Sequence, residues 1–318
     1  MKRAVYWIGV FFSSLAVVLG VLIAWYWRPD LPLSELRTKY ANAASRFVTI
    51  DGMPVHYRDE GKRVDTLPPL VLVHGTGASL HTWEGWVDAL EDNYRIIRFD
   101  LPAYGLTGPN RTGDYSLEYY AGFTLELLDS LGVDTCILGG NSLGGAVAWR
   151  TALVAPGRVA GLLLVDAAGY PSAPRRRPLA FRLADWPLLR SLLRYVTPRS
   201  VIERSVRNVY ADESRVSEQL IDRYYDLARR PGNRQAFLDR MEGRKRKSDA
   251  YQRIPSIEAP ALILWGAQDA LIPVAAAKRF QQDLPNNRLV VLDGLGHVPM
   301  EEAPERTVEV VESFLRNW

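Results

Sequence analysis

The sequence is short of residues that define several common classes of protein. It has a single cysteine, Cys136, so no intramolecular disulfide can form and a disulfide scaffold is excluded. Cys136 lies in the apolar run TCILGG with no basic neighbour in sequence to lower its pKa, which reads as a small buried strand residue rather than a reactive thiol. Histidine is scarce too, with only His56, His74, His81 and His297 available for general-base chemistry. Net charge is just +3, and neither internal repeats nor low-complexity tracts occur. Disorder is excluded, because 47% of the residues are hydrophobic, enough to fill a globular core.

The near-neutral balance hides a segregation of charge. Between Gly169 and Tyr251 there are 19 basic and 10 acidic residues, so the basic character belongs to one stretch. Its clusters, Arg175-Arg176-Arg177 and Arg244-Lys245-Arg246-Lys247, read as a solvated helical surface, with anionic lipid headgroups as a second possibility.

At the amino end, Ala4 to Trp27 carries no charge. As a helix rising ~1.5 Å per residue, it is long enough to cross a hydrocarbon core of roughly 30 Å. Lys2 and Arg3 precede it, and Trp25, Tyr26, Trp27 and Arg28 follow as an interfacial belt would. The expectation is an uncleaved single-pass membrane anchor over residues 1–28, followed by a linker over 29–46. A short basic head more often stays cytoplasmic, which places the rest of the chain outside the cytoplasm.

From Phe47 onward strand and helix patterns alternate. FVTI, VHYRDEG, LVLV, RIIRF, CILGG, GLLLV, ALILWG and RLVVL read as strands, and helical patterns separate most of them. This predicts an α/β fold with a mostly parallel sheet of about eight strands and helices on both faces. The basic stretch interrupts the alternation, which resumes at Pro260. The predicted organisation is a core of residues 47–168 and 253–318, with a helical cap of residues 169–252 over the carboxyl ends of the strands.

Gly140-Asn141-Ser142-Leu143-Gly144 fits G-x-S-x-G between an apolar strand and a helix-forming run. The glycines suit a sharp strand-to-helix turn that holds Ser142 exposed as a nucleophile. A serine hydroxyl needs a base, and the base needs a carboxylate to orient it. His297 is the only histidine after the elbow, in the loop DGLGHVPMEE. Asp269, just beyond the strand ALILWG, is the favoured acid; Asp166, at the end of LLLVD, is its rival. An oxyanion hole requires two N–H donors: Leu143 supplies one by position, and Thr76, or failing that Gly77, the other. Trp83, Tyr104, Val298 and Met300 flank these motifs and are candidates for an apolar substrate pocket.

HGTG, GNSLGG, LVDAAG, WGAQD and GHVPMEE, in this order, resemble the α/β-hydrolase superfamily, and within it the bacterial esterase and lipase branch similar to monoacylglycerol lipases. The resemblance covers Phe47 to Trp318 and implies hydrolysis of carboxylic esters of small molecules or lipids, with no metal, organic cofactor or nucleic acid. Ser142 argues against dehalogenases and epoxide hydrolases, which place Asp at the elbow. Thioesterase, amidase and C–C bond hydrolase activities share the same three residues, as would a non-catalytic binding protein that had kept them.

Overall fold

Strands rich in Leu, Val and Ile form the centre of the molecule, and the inner ones are buried on both faces. A computed structural model describes residues 2–63, 67–171, 178–186, 192–243 and 249–316. Its sheet has eight strands, β1 (Ser45–Ile50), β2 (Met53–Gly61), β3 (Leu70–Val73), β4 (Arg95–Phe99), β5 (Cys136–Asn141), β6 (Val159–Val165), β7 (Ala261–Gly266) and β8 (Asn287–Leu292). Their order is β1-β2-β4-β3-β5-β6-β7-β8, and only the β1–β2 and β2–β4 pairings are antiparallel.

Side chains alternate across the strands. Val71, Val73, Leu162, Leu164, Ile263 and Trp265 pack into one apolar layer, beneath helices α4 (Leu117–Ser130) and α5 (Leu143–Val154) and the Val274–Asp283 helix. Leu70, Leu72, Leu163, Val165, Leu262 and Leu264 pack into the other, beneath α3 (Glu84–Leu90) and the Pro304–Leu315 helix. Each fully buried Leu or Val contributes on the order of 1.5–3 kcal/mol relative to exposure, so these two layers dominate stability. The carboxyl ends of β3, β5, β6 and β7 thereby become a fixed platform for loops.

Between β6 and β7 the described residues form helices Leu179–Ala184, Arg199–Arg207, Glu218–Ala228 and Asn233–Gly243. Ser217 caps the Glu218–Ala228 helix by accepting from Leu220 N at 3.1 Å. The clusters Arg175–Arg177 and Arg244–Lys247 lie outside the described residues.

The amino-terminal expectations require correction. Residues Lys2–Tyr26 form a helix, α1, but among the described residues no helix is long and apolar enough to cross a membrane. A span needs ~20 predominantly apolar residues in succession, and none is found among the described residues. The single-pass anchor is therefore not supported, nor is the placement of the chain relative to a membrane that rested on it. The expected aromatic belt is partly used elsewhere: Trp27 stacks on Tyr195 of the insert, with ring centroids 4.8 Å apart, and Arg28 N donates to Tyr195 O at 2.9 Å. Residues 29–46 are more than a linker. They hold helix α2 (Leu33–Tyr40), whose Leu36 is buried against Leu106 and Leu227, while Lys39 and Tyr40 both bond Asp226.

Candidate active site

Ser142 joins β5 to α5 at φ 55° and ψ −113°, a region an L-residue adopts only when its surroundings impose it. The neighbouring glycines leave the room it needs here. A side chain at Gly140 would run into the backbone of Gly144, one at Gly144 into the carbonyl of Val73, and one at Gly145 into Ala167. Ser142 N donates to Val165 O at 3.1 Å and Ala168 N to Ser142 O at 2.9 Å, which pins the turn to the neighbouring strand end. As the first residue of α5, Leu143 has a main-chain N–H with no intrahelical acceptor.

His297 is buried in the loop after β8, with Nδ1 2.7 Å from Asp269 Oδ2. Asp269 Oδ1 accepts from Leu271 N at 2.7 Å and Ile272 N at 2.9 Å, so the carboxylate is held at both oxygens. His297 Nε2 is buried without a hydrogen-bond partner among the described residues, and His297 lines the same cavity as Ser142. A bonded Nδ1 and an unpartnered Nε2 are the disposition a general base requires. Asp166, the rival acid, is also present: one ligating atom each of Asp166, Asp269 and His297 lie within 4.8 Å of one another. Burial and the adjacent Asp269 charge push the Asp166 carboxyl well above the ordinary carboxylate range. The short Nδ1–Oδ2 hydrogen bond already occupies the histidine and one carboxylate, which fits a hydrogen-bonded trio better than a metal centre.

The cavity encloses about 1020 Å³ including its open mouth. Thr76 and Gly77, the candidates for the second oxyanion donor, line it, as do Tyr104 and Val298. Trp83 and Met300 do not. Both are fully buried in the apolar layer on the α3 face, where Trp83 packs on Trp86 with centroids 4.9 Å apart. Adjacency to a motif in sequence does not say which side of the backbone a side chain takes. The apolar wall comes instead from the insert, through Phe181, Ile202, Val206, Leu227 and Phe237. His74 is structural: Nδ1 donates to Gly75 O at 2.8 Å, Nε2 accepts from Leu101 N at 3.0 Å, and burial lowers its pKa.

Two supporting residues escaped the sequence reading. Asn141 Nδ2 donates to His297 O at 2.8 Å and Val165 O at 3.2 Å, tying the histidine loop to the elbow. Buried Glu302 accepts from Gly296 N at 2.8 Å, and also from Ala211 N at 3.1 Å and Asp212 N at 2.8 Å in the insert. His297 N itself donates to Val209 O at 2.7 Å. His297 is thus held from below by the elbow and from above by the insert. The pair Glu301-Glu302 was the available signal, but only the helical register separates them: Glu301 turns to Arg223 and Tyr224 instead.

Comparison with known proteins points to the same fold. The model of the α/β-hydrolase fold family matches residues 68–304. An uncharacterized hydrolase of Bacillus subtilis, YugF, is 29% identical over 277 residues, which are 85% of this chain and 97% of that protein. A 2-hydroxy-6-oxononadienedioate/2-hydroxy-6-oxononatrienedioate hydrolase of Burkholderia vietnamiensis is 31% identical over 291 residues, 86% of this chain and 96% of that protein. Among solved structures, a membrane phospholipase A described as a bacterial virulence factor superposes with a TM-score of 0.72 at 27% identity, covering 100% of this chain and 99% of the other. The names of these relatives range from a hydrolase of an oxo-dienedioate to a phospholipase A, so the comparisons support a hydrolase without choosing the bond.

Proposed function

The chain belongs to the α/β-hydrolase family, and on that premise we propose that it cleaves carboxylic esters through an acyl-enzyme on Ser142, with His297 as general base and Asp269 orienting it. The observation that carries this reading is the unpartnered Nε2 of His297 at the cavity that also exposes Ser142, while its Nδ1 stays bonded to Asp269. Ser142 Oγ attacks the ester carbonyl as His297 Nε2 takes its proton, and the proton then passes to the leaving alcohol. Water repeats the sequence to release the acid. The tetrahedral oxyanion is met by the N–H of Leu143 and that of Thr76 or Gly77, each such donor typically contributing ~3 kcal/mol.

Residues 169–252 act in this reading as a cap on a core of residues 47–168 and 253–318. The apolar wall the insert gives the cavity supports an acyl chain as the group bound, from short- or medium-chain esters or monoacylglycerol-like lipids. The likeness to a phospholipase A is in keeping with a lipid ester. A second reading is favoured by the 31% identity to a hydrolase of an oxo-dienedioate: the same trio would then break a C–C bond. A panel of p-nitrophenyl esters of increasing chain length, a monoacylglycerol, a phospholipid and a 2-hydroxy-6-oxo-dienoate separates them, with Ser142→Ala as the blank. Serine-dependent turnover of the esters, with a chain-length optimum, supports ester hydrolysis. Turnover confined to the dienoate overturns it.

A further inference from the structure

Asp166 is completely buried at the end of β6, and the triad reading gives it no task. It sits at φ 44°, anchored by Asp166 N donating to Leu264 O at 3.0 Å, and its Oδ1 accepts from Gly266 N at 3.1 Å. Its Oδ2 is buried, and among the described residues no donor reaches it. A carboxylate oxygen in that position would keep its negative charge without a hydrogen bond and beside a second carboxylate, that of Asp269. A protonated oxygen would instead have the Asp269 carboxylate within hydrogen-bonding reach.

We infer that Asp166 stands as a neutral carboxylic acid whose O–H donates to the carboxylate of Asp269, making it a positioning residue for the group that orients His297. The inference rests on the triad reading above and deepens it. The electrostatics run the same way: burial first, then the charge of Asp269, with Glu302 adding a further negative charge from the Pro299–Glu302 helix, hold the proton on Asp166. Asp269 then receives two main-chain N–H groups at Oδ1, the His297 ring at Oδ2 and the Asp166 hydroxyl from the sheet side. The trio carries one negative charge instead of two, and Asp269 cannot rotate away from the imidazole.

The test compares Asp166→Asn, whose amide keeps a donor toward Asp269 and an acceptor for Gly266 N, with Asp166→Leu, which keeps neither. With a p-nitrophenyl ester, Asp166→Asn is expected within about threefold of wild type in kcat/KM, while Asp166→Leu loses tenfold or more, in kcat rather than KM. The acid limb of the pH profile discriminates further. An ionised Asp166 would raise the pKa of the neighbouring imidazole, so its replacement by Asn would move the limb to lower pH; a neutral Asp166 leaves the limb in place. Infrared spectroscopy of the full chain at neutral pH reads the proton directly, as a carboxylic-acid C=O stretch present in wild type and missing in Asp166→Asn. Lack of that band in wild type, or a limb that moves down in Asp166→Asn, overturns the inference. If Asp166→Leu does not fold, these two readouts still decide. The infrared band needs no substrate, so its failure is separable from a failure of the ester reading, which would appear as absent serine-dependent turnover.

Discussion

Replacing Glu302 by alanine removes one side chain that serves two parts of the molecule. Its carboxylate accepts from Gly296 N, next to His297, and from Ala211 N and Asp212 N of the insert. A buried donor left unsatisfied costs about 1–3 kcal/mol. Gly296 N is buried and bears that cost in full, whereas Ala211 and Asp212 are exposed and can turn to water. The desolvation of the carboxylate itself is recovered when it is deleted, which moves the sum toward its lower end. The expected destabilisation is therefore about 1.5 kcal/mol for Glu302→Ala and roughly half that for Glu302→Gln, which keeps one acceptor oxygen. Urea unfolding reads this as a shift in midpoint at constant slope. Below the unfolding range, reaction of Ser142 with a fluorophosphonate should slow by about tenfold or more in Glu302→Ala, because the loop carrying the base has lost its clamp. If both variants lie within ~0.5 kcal/mol of wild type and label at the wild-type rate, the clamp argument is wrong.

Two further outcomes follow from backbone and charge. Gly144→Ala should yield no folded protein, because its new methyl meets the Val73 carbonyl, whereas Gly122→Ala, in open space within α4, should stabilise by about 0.5–1 kcal/mol; thermal melts of both check this. Burial holds the His81 imidazole down to about 3, so it folds neutral while the unfolded chain takes up a proton below about pH 6.5. Its contribution is complete above that pH and is lost as pH falls toward 3, at ~1.4 kcal/mol per pH unit, so His81→Gln should flatten the stability profile between pH 6 and 4 by about one proton. An unchanged slope in that variant would contradict the assignment.

Much of this arrangement was legible because it depends on local pattern. The strands LVLV, GLLLV and ALILWG announce themselves by apolar runs ending at loops, and glycines around Ser142 announce a turn that no larger residue permits. His297 stood out by scarcity and Asp269 by its place beyond β7. What stayed hidden depends on long-range packing. Nothing local distinguishes Trp83, which packs into the core, from Tyr104, which faces the cavity. Residues 29–46 looked polar enough for a linker, yet Leu36 and Tyr40 find partners nearly two hundred residues away. The apolar amino-terminal run suggested an anchor by composition, whereas Trp27 finds a stacking partner in Tyr195. Asp166 was weighed as a rival to Asp269, but only the fold places the two carboxyl groups side by side.

The most direct test of the account is the site and rate of covalent labelling by a fluorophosphonate. Mass spectrometry of the digested adduct should locate the phosphonyl group on Ser142, with labelling abolished in Ser142→Ala and slowed by ~10³-fold or more in His297→Ala. An adduct on another residue, or a His297→Ala variant that labels as fast as wild type, would contradict it.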